Sequence, residues 1–180
     1  AFYSNRHTHT WEIYVMDSDG SNQTQLTSKI SGNDSTSPSW SPDGSKIAFQ
    51  AYSDSLPITE ICVMDADSSN QINLTNNTAH DSSPSWSSDG SKIAVKAERN
   101  GNQEIYVMDA DGSNQINLTN NSAFDGCFDW SPDGSKIVFT SDRGGNFVSR
   151  ITSDNITMSE IYVMDADRSE EHTSELQSLV

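Results

Sequence analysis

An all-β molecule of about four stacked blades, each a four-stranded antiparallel sheet, is predicted by two repeating modules and a lean composition. The first module, Ser37-Pro-Ser-Trp-Ser-Pro-Asp-Gly-Ser-Lys-Ile-Ala-Phe49, returns at Ser83 to Val95 and at Cys127 to Phe139. Its tryptophans, Trp40, Trp86 and Trp130, stand 46 and 44 residues apart. The second module, Glu-Ile-Tyr/Cys-Val-Met-Asp, begins at Glu12, Glu60, Glu104 and Glu160. Hydrophobic residues make up only 33% of the 180, so apolar material must lie in thin layers rather than in one thick core.

Each period supplies four extended segments, A to D. Strand A ends near Trp40, and Ser-Pro-Asp-Gly turns it into strand B, Lys46 to Phe49. In that turn proline presets φ, aspartate caps the local backbone and glycine accepts positive φ. Strand C, such as Glu104 to Asp109, is apolar on both sides of its pleat, with Ile105 and Val107 on one and Tyr106 and Met108 on the other. Both faces therefore need cover. Asp-Ala-Asp-Gly-Ser-Asn, from Asp109, is a turn cluster; it opens like a calcium loop but lacks the closing glutamate of an EF-hand. Strand D carries Ile116 and Leu118 around Asn117, the pattern of an outer strand with one dry and one wet face. Sheets that are apolar on both faces are stable when stacked about an axis, and a period near 44 residues suits a β-propeller.

The pattern P-S-W-S-P-D-G-S-K-I-A-F, then E-I-Y-V-M-D-A-D-G-S-N and a closing L-T, closely resembles the WD40-like (PD40) repeats of the TolB propeller family. The resemblance covers residues 1 to about 167. It implies a rigid binding platform, a protein or peptide partner, and a periplasmic or otherwise extracytoplasmic bacterial parent.

The repeat divides the chain into an incomplete blade at 1–27 (strands B, C and D), whole blades at 28–75 and 76–119, and an incomplete blade at 120–167 (strands A, B and C). The tail, 168–180, leaves the repeat pattern and reads as non-native sequence. The expectation is a partial, open propeller with an apolar face at each end, prone to self-association.

Acidic residues number 26 against 10 basic ones, a net charge of -16. Such a surface repels phosphate backbones and anionic membranes, so no nucleic acid is expected as a partner. No apolar stretch approaches the roughly 20 residues a membrane helix needs. Cys62 and Cys127 lack metal or redox spacing and are expected to be packed thiols.

Candidate site residues cluster at the entry to strand A. Asp34, Asp81 and Asp125 precede the three A strands and are expected to converge on the channel mouth, where repulsion between carboxylates would favour Ca²⁺ or a basic partner. The competing reading has each aspartate bonding backbone amides in its own loop. Asp129 replaces Ser39 and Ser85 at its repeat position and adds a further carboxylate. The B-to-C connection of the last blade is long, 21 positions from Phe139 to Glu160 against 9 from Val95 to Glu104. Its Arg143 and Arg150, with Gly144 and Gly145, are expected to overhang the same mouth and contact a partner. His7 and His9 have metal-ligand spacing but no third ligand, and the Asn-x-Ser/Thr triplets follow from composition.

No G-x-S-x-G elbow, H-E-x-x-H helix or phosphate-binding glycine loop is present. The expected function is a non-catalytic, protein- or peptide-binding propeller that requires no cofactor, with Ca²⁺ as a candidate aid. The alternative is the propeller of a larger prolyl-oligopeptidase-like serine peptidase whose catalytic domain lies elsewhere.

Overall fold

The computed structural model describes residues 1–7, 10–28, 34–52, 57–143 and 160–166. All the regular structure among them is β, in four antiparallel sheets with neighbours joined in chain order. The first sheet holds β1 (Phe2–Ser4), β2 (Glu12–Val15) and β3 (Thr24–Gln25). The second holds β4 (Ser35–Trp40), β5 (Lys46–Tyr52), β6 (Thr59–Asp65) and β7 (Ile72–Asn73). The third holds β8 (Asp81–Trp86), β9 (Lys92–Ala97), β10 (Glu104–Asp109) and β11 (Ile116–Asn117). The fourth holds β12 (Asp125–Trp130), β13 (Lys136–Ser141) and β14 (Glu160–Asp165). This is an open β-propeller arc.

The turns form for the reasons their residues suggest. In the second sheet the Ser41 amide donates to the Lys46 carbonyl and the Gly44 amide to the Ser41 carbonyl, both at 2.9 Å. Gly44, Gly90 and Gly134 occupy the left-handed region at φ 70°, 73° and 72°, where glycine carries no Cβ penalty. The Asp109 turn closes in the same manner, its amide reaching Ser113 and that of Gly112 reaching Asp109.

The two-sided pleat of strand C is what stacks the sheets. Tyr106 and Met108 pack with Ala48, Ile61 and Val63 of the second sheet. On the other side of β10, Ile105 and Val107 pack with Ile137, Phe139, Tyr162 and Met164 of the fourth. Ile13 of the first sheet joins Ile47, Phe49 and Met64 of the second in the same sense. The Ile/Val face of one sheet thus always meets the Ile/Phe/Tyr/Met face of the next.

Strand D departs from the expected alternation. Ile116 is exposed while Leu118 is fully buried, although two residues apart should share a face. Regular pairing stops at Asn117. The chain then turns, and Leu118, its amide bonded to the Ile105 carbonyl at 2.9 Å, enters the layer between the third and fourth sheets.

Candidate binding site

Two of the predicted aspartates open innermost strands. Asp81 begins β8 opposite Ala97, and Asp125 begins β12 opposite Ser141. Both side chains are fully buried, which is unfavourable for a carboxylate unless a cation and hydrogen bonds replace its water. Arg99 donates from Nε and Nη2 to Asp81 Oδ1 at 3.1 and 2.9 Å, and Asn77 donates to Oδ2 at 2.5 Å. Asp125 receives Arg143 Nη2 at 2.9 Å and Asn121 Nδ2 at 2.7 Å. Each guanidinium also lies over aromatic rings: Arg99 is 4.4 Å from the Tyr106 centroid, and Arg143 is 4.9 Å from those of Phe139 and Tyr162. Cation–π contact suits a guanidinium already held flat by a carboxylate. The result is a clamp tying strand A to strands B and C of its own blade.

These contacts correct several expectations. Asp34 is not the counterpart of Asp81; that position holds Ser35. Asp34 lies one residue earlier, where its Oδ1 accepts the Trp11 amide at 2.9 Å. Among the described residues no three His, Cys, Asp or Glu side chains gather to hold a metal ion, so Asp34, Asp81 and Asp125 do not form the expected shared Ca²⁺ site. The reason is local: Arg99 and Arg143 already neutralise the two buried carboxylates. Asp81 and Asp125 are fully buried, and Arg143, with 15% of its side chain exposed, is paired with Asp125. Asp129 is exposed, with its Oδ1 accepting the Trp130 amide at 2.9 Å. Arg150, Gly144, Gly145, His9 and the 168–180 tail lie outside the described residues, as does most of the long B-to-C connection. His7 Nδ1 stands 3.0 Å from the Tyr14 hydroxyl.

A second set of buried acids is absent from the sequence reading. Glu12, Glu60 and Glu104, at the start of strand C, are all buried. Thr27 donates to Glu12 at 2.5 Å, Asn73 to Glu60, and Asn102 and Asn117 to Glu104. The signal that could have found them is the recurrence of Glu with Thr or Asn 13 to 15 residues later. The opposite ends of strands B and C are joined by Lys46–Asp65, Lys92–Asp109 and Lys136–Asp165 ion pairs at 2.6, 3.0 and 2.6 Å.

The innermost strands share an irregularity. β4, β8 and β12 each lose register, between Thr36 and Ser39, Ser82 and Ser85, and Gly126 and Phe128. At each break a non-glycine residue takes a left-handed φ: Ser37 at 52°, Ser83 at 56° and Cys127 at 36°. Bulges of this kind re-aim side chains beside binding sites. Here they border a cleft of about 300 Å³ whose lining includes Pro38, Pro84, Phe128 and Lys96. Cys127 is exposed there, contrary to the packed thiol expected, because the bulge takes it out of the sheet's alternation. Cys62 is half-buried against the first interblade layer, and burial, with the nearby Glu60 carboxylate, pushes its thiol up to about 12.

The sequence matches the PD40 family, described as the TolB beta propeller domain, over residues 1–177. A solved TolB-type protein from Agrobacterium tumefaciens is 25% identical, with a TM-score of 0.74 over 91% of this chain and 56% of its own. TolB from Acinetobacter baumannii is 29% identical, with a TM-score of 0.69 over 89% of this chain and 36% of its own. An oligogalacturonate lyase solved in complex with manganese is 18% identical, with a TM-score of 0.60 over 87% of this chain and 41% of its own. That last likeness shows the fold alone. The chain spans little more than half the length of the first of these structures and less of the others. No curated protein matches it. With the family match running along nearly the whole sequence and the sheets stacked as its repeats require, the chain belongs to the PD40 family of TolB β-propeller domains.

Proposed function

We propose that this chain serves as a non-catalytic propeller segment that binds a protein or peptide in the periplasm, through the cleft formed by its innermost strands. The observation that carries this reading is the alignment of three bulges, at Ser37, Ser83 and Cys127, around one open cleft. Prolines and Phe128 give that cleft an apolar floor, Lys96 adds a cation, and exposed Asp129 stands on the strand that borders it. A volume of about 300 Å³ suits one or two side chains of an extended peptide rather than a large cofactor. Likeness to two TolB structures, at 25% and 29% identity, supports the binding-module reading; the peptidase-propeller alternative rests on neighbours that share only the fold, such as puromycin hydrolase at 16% identity. Calcium has no assigned role in this reading, because arginines already neutralise Asp81 and Asp125.

The test is selection of displayed random peptides on the immobilised protein, followed by affinity measurement on the wild type, Phe128→Ala and Asp129→Ala. Enriched peptides are expected to bind in the micromolar range and to weaken about tenfold or more in Phe128→Ala, as expected when an apolar anchor is removed. Absence of any enriched sequence family, or enriched peptides indifferent to both substitutions, would sink the cleft as the binding site.

A further inference from the structure

One innermost strand departs from the repeat of its neighbours, and it does so beside a cation. β12 reads Asp125-Gly126-Cys127-Phe128-Asp129 where β8 has Asp81-Ser82-Ser83-Pro84-Ser85 and β4 has Ser35-Thr36-Ser37-Pro38-Ser39. Residues 126 to 129 thus break the pattern in β12 alone of the three. Lys96, in β9, stands where Gln50 and Thr140 stand in the second and fourth sheets. These departures meet in space. Alternation along β9 puts Lys96 on the face that carries Ala94, which packs with the fourth sheet. The Lys96 stem runs beside Gly126: a Cβ added there would stand 4.0 Å from Lys96 Cδ. Lys96 and Phe128 line the same cleft of about 300 Å³. Lys46, Lys92, Lys136, Arg99 and Arg143 each hold an aspartate within 3.0 Å, whereas half-buried Lys96 has no ion pair among the described residues.

We infer that the cleft selects a peptide segment carrying an aspartate or glutamate, whose carboxylate seats on the Lys96 ammonium while an adjoining apolar side chain packs on Phe128. The inference rests on the cleft being the binding site. Charge complementarity sets the choice of occupant. The net charge of -16 would by itself call for a basic segment, but the cleft lining holds a lysine and no carboxylate. Asp129 lies outside that lining, with its Oδ1 on the Trp130 amide. Carboxylates farther away than the Debye length, about 8 Å at physiological salt, are largely screened, so the local cation decides. A half-buried ammonium has already lost part of its water, and a bound carboxylate supplies the counter-charge that the chain does not.

The experiment selects peptides on the immobilised protein from two displayed libraries, one complete and one lacking Asp and Glu. Affinities are measured for the enriched peptides and for the same peptides with each acid changed to its amide. The measurements are repeated on Lys96→Gln, which brings in the residue type of Gln50, and on Lys96→Met. Peptides from the complete library are expected to share an acidic position. The amide versions are expected to bind the wild type about tenfold more weakly, and either Lys96 variant less than about twofold more weakly. Equal affinities from the two libraries, or the same acid-to-amide loss on the wild type and both variants, overturns the inference, while binding that still depends on Phe128 leaves the cleft reading standing. A basic consensus overturns it as well. Absence of any enriched family removes the cleft reading and this inference together.

Discussion

At the residue scale, carboxylates divide into those the fold uses and those it leaves to solvent. Asp43, Asp89 and Asp133 sit in the three Ser-Pro/Ser-Asp-Gly turns, and each accepts bonds from two serines. The Ser41 hydroxyl is the leading cause that holds Asp43 at about 2; the Ser91 amide does so for Asp89 and the Ser131 hydroxyl for Asp133. Because these folded values lie below the unfolded 3.8, the charged turns stabilise the fold fully above about pH 4 and lose that contribution as pH falls toward 2. The triple variant D43N/D89N/D133N is therefore expected to unfold at lower urea than the wild type at pH 6. The gap should shrink steadily between pH 4 and 2. An unchanged gap at pH 2 would assign the turns' stability to something other than these charges.

At the element scale, the second and third sheets show how far the pattern could be read. Strands A, B and C, their turns and the two-sided pleat of Glu104–Asp109 were legible because turn chemistry and period-2 burial act within a few residues. Strand D was not: alternation placed Ile116 and Leu118 on one face, but pairing ends after two residues and the chain turns inward. The expected outcome is that Leu118→Ala costs about 2–5 kcal/mol while Ile116→Ala stays within about 0.5 kcal/mol, read by urea unfolding. Similar losses at both positions would restore the regular strand. The site was only partly legible for a related reason. The aspartates opening β8 and β12 were visible, yet their partners Arg99 and Arg143 lie 18 residues downstream, a spacing that recurs in both blades but is too long for turn or strand patterns to reveal. Asp34 was misaligned because a one-residue offset moves it out of the buried position, and the left-handed residues of the bulges, Ser37, Ser83 and Cys127, are not glycines that would announce that backbone.

At the scale of the whole molecule, the sheets form an arc in which every Ile/Val face but one is covered. Ile61 and Ile105 are completely buried between successive sheets, while Ile161, the same repeat position in the fourth sheet, is 53% exposed. An exposed apolar face of this kind favours association, whereas the layers between sheets carry the stability of the arc. The clamps at Asp81 and Asp125 hold β8 and β12 in their own blades, while β4, with Ser35 at that position, has none. The measurement that tests this stacking most directly is urea unfolding, with sedimentation velocity, of Ile105→Lys and Ile161→Lys. Stacking in chain order predicts that a lysine at 105 costs more than about 3 kcal/mol, because a charge is forced between two apolar faces. The same change at 161 should leave the unfolding midpoint within error and raise the monomer fraction. Equal destabilisation by the two substitutions, or a tolerated lysine at 105, would contradict it.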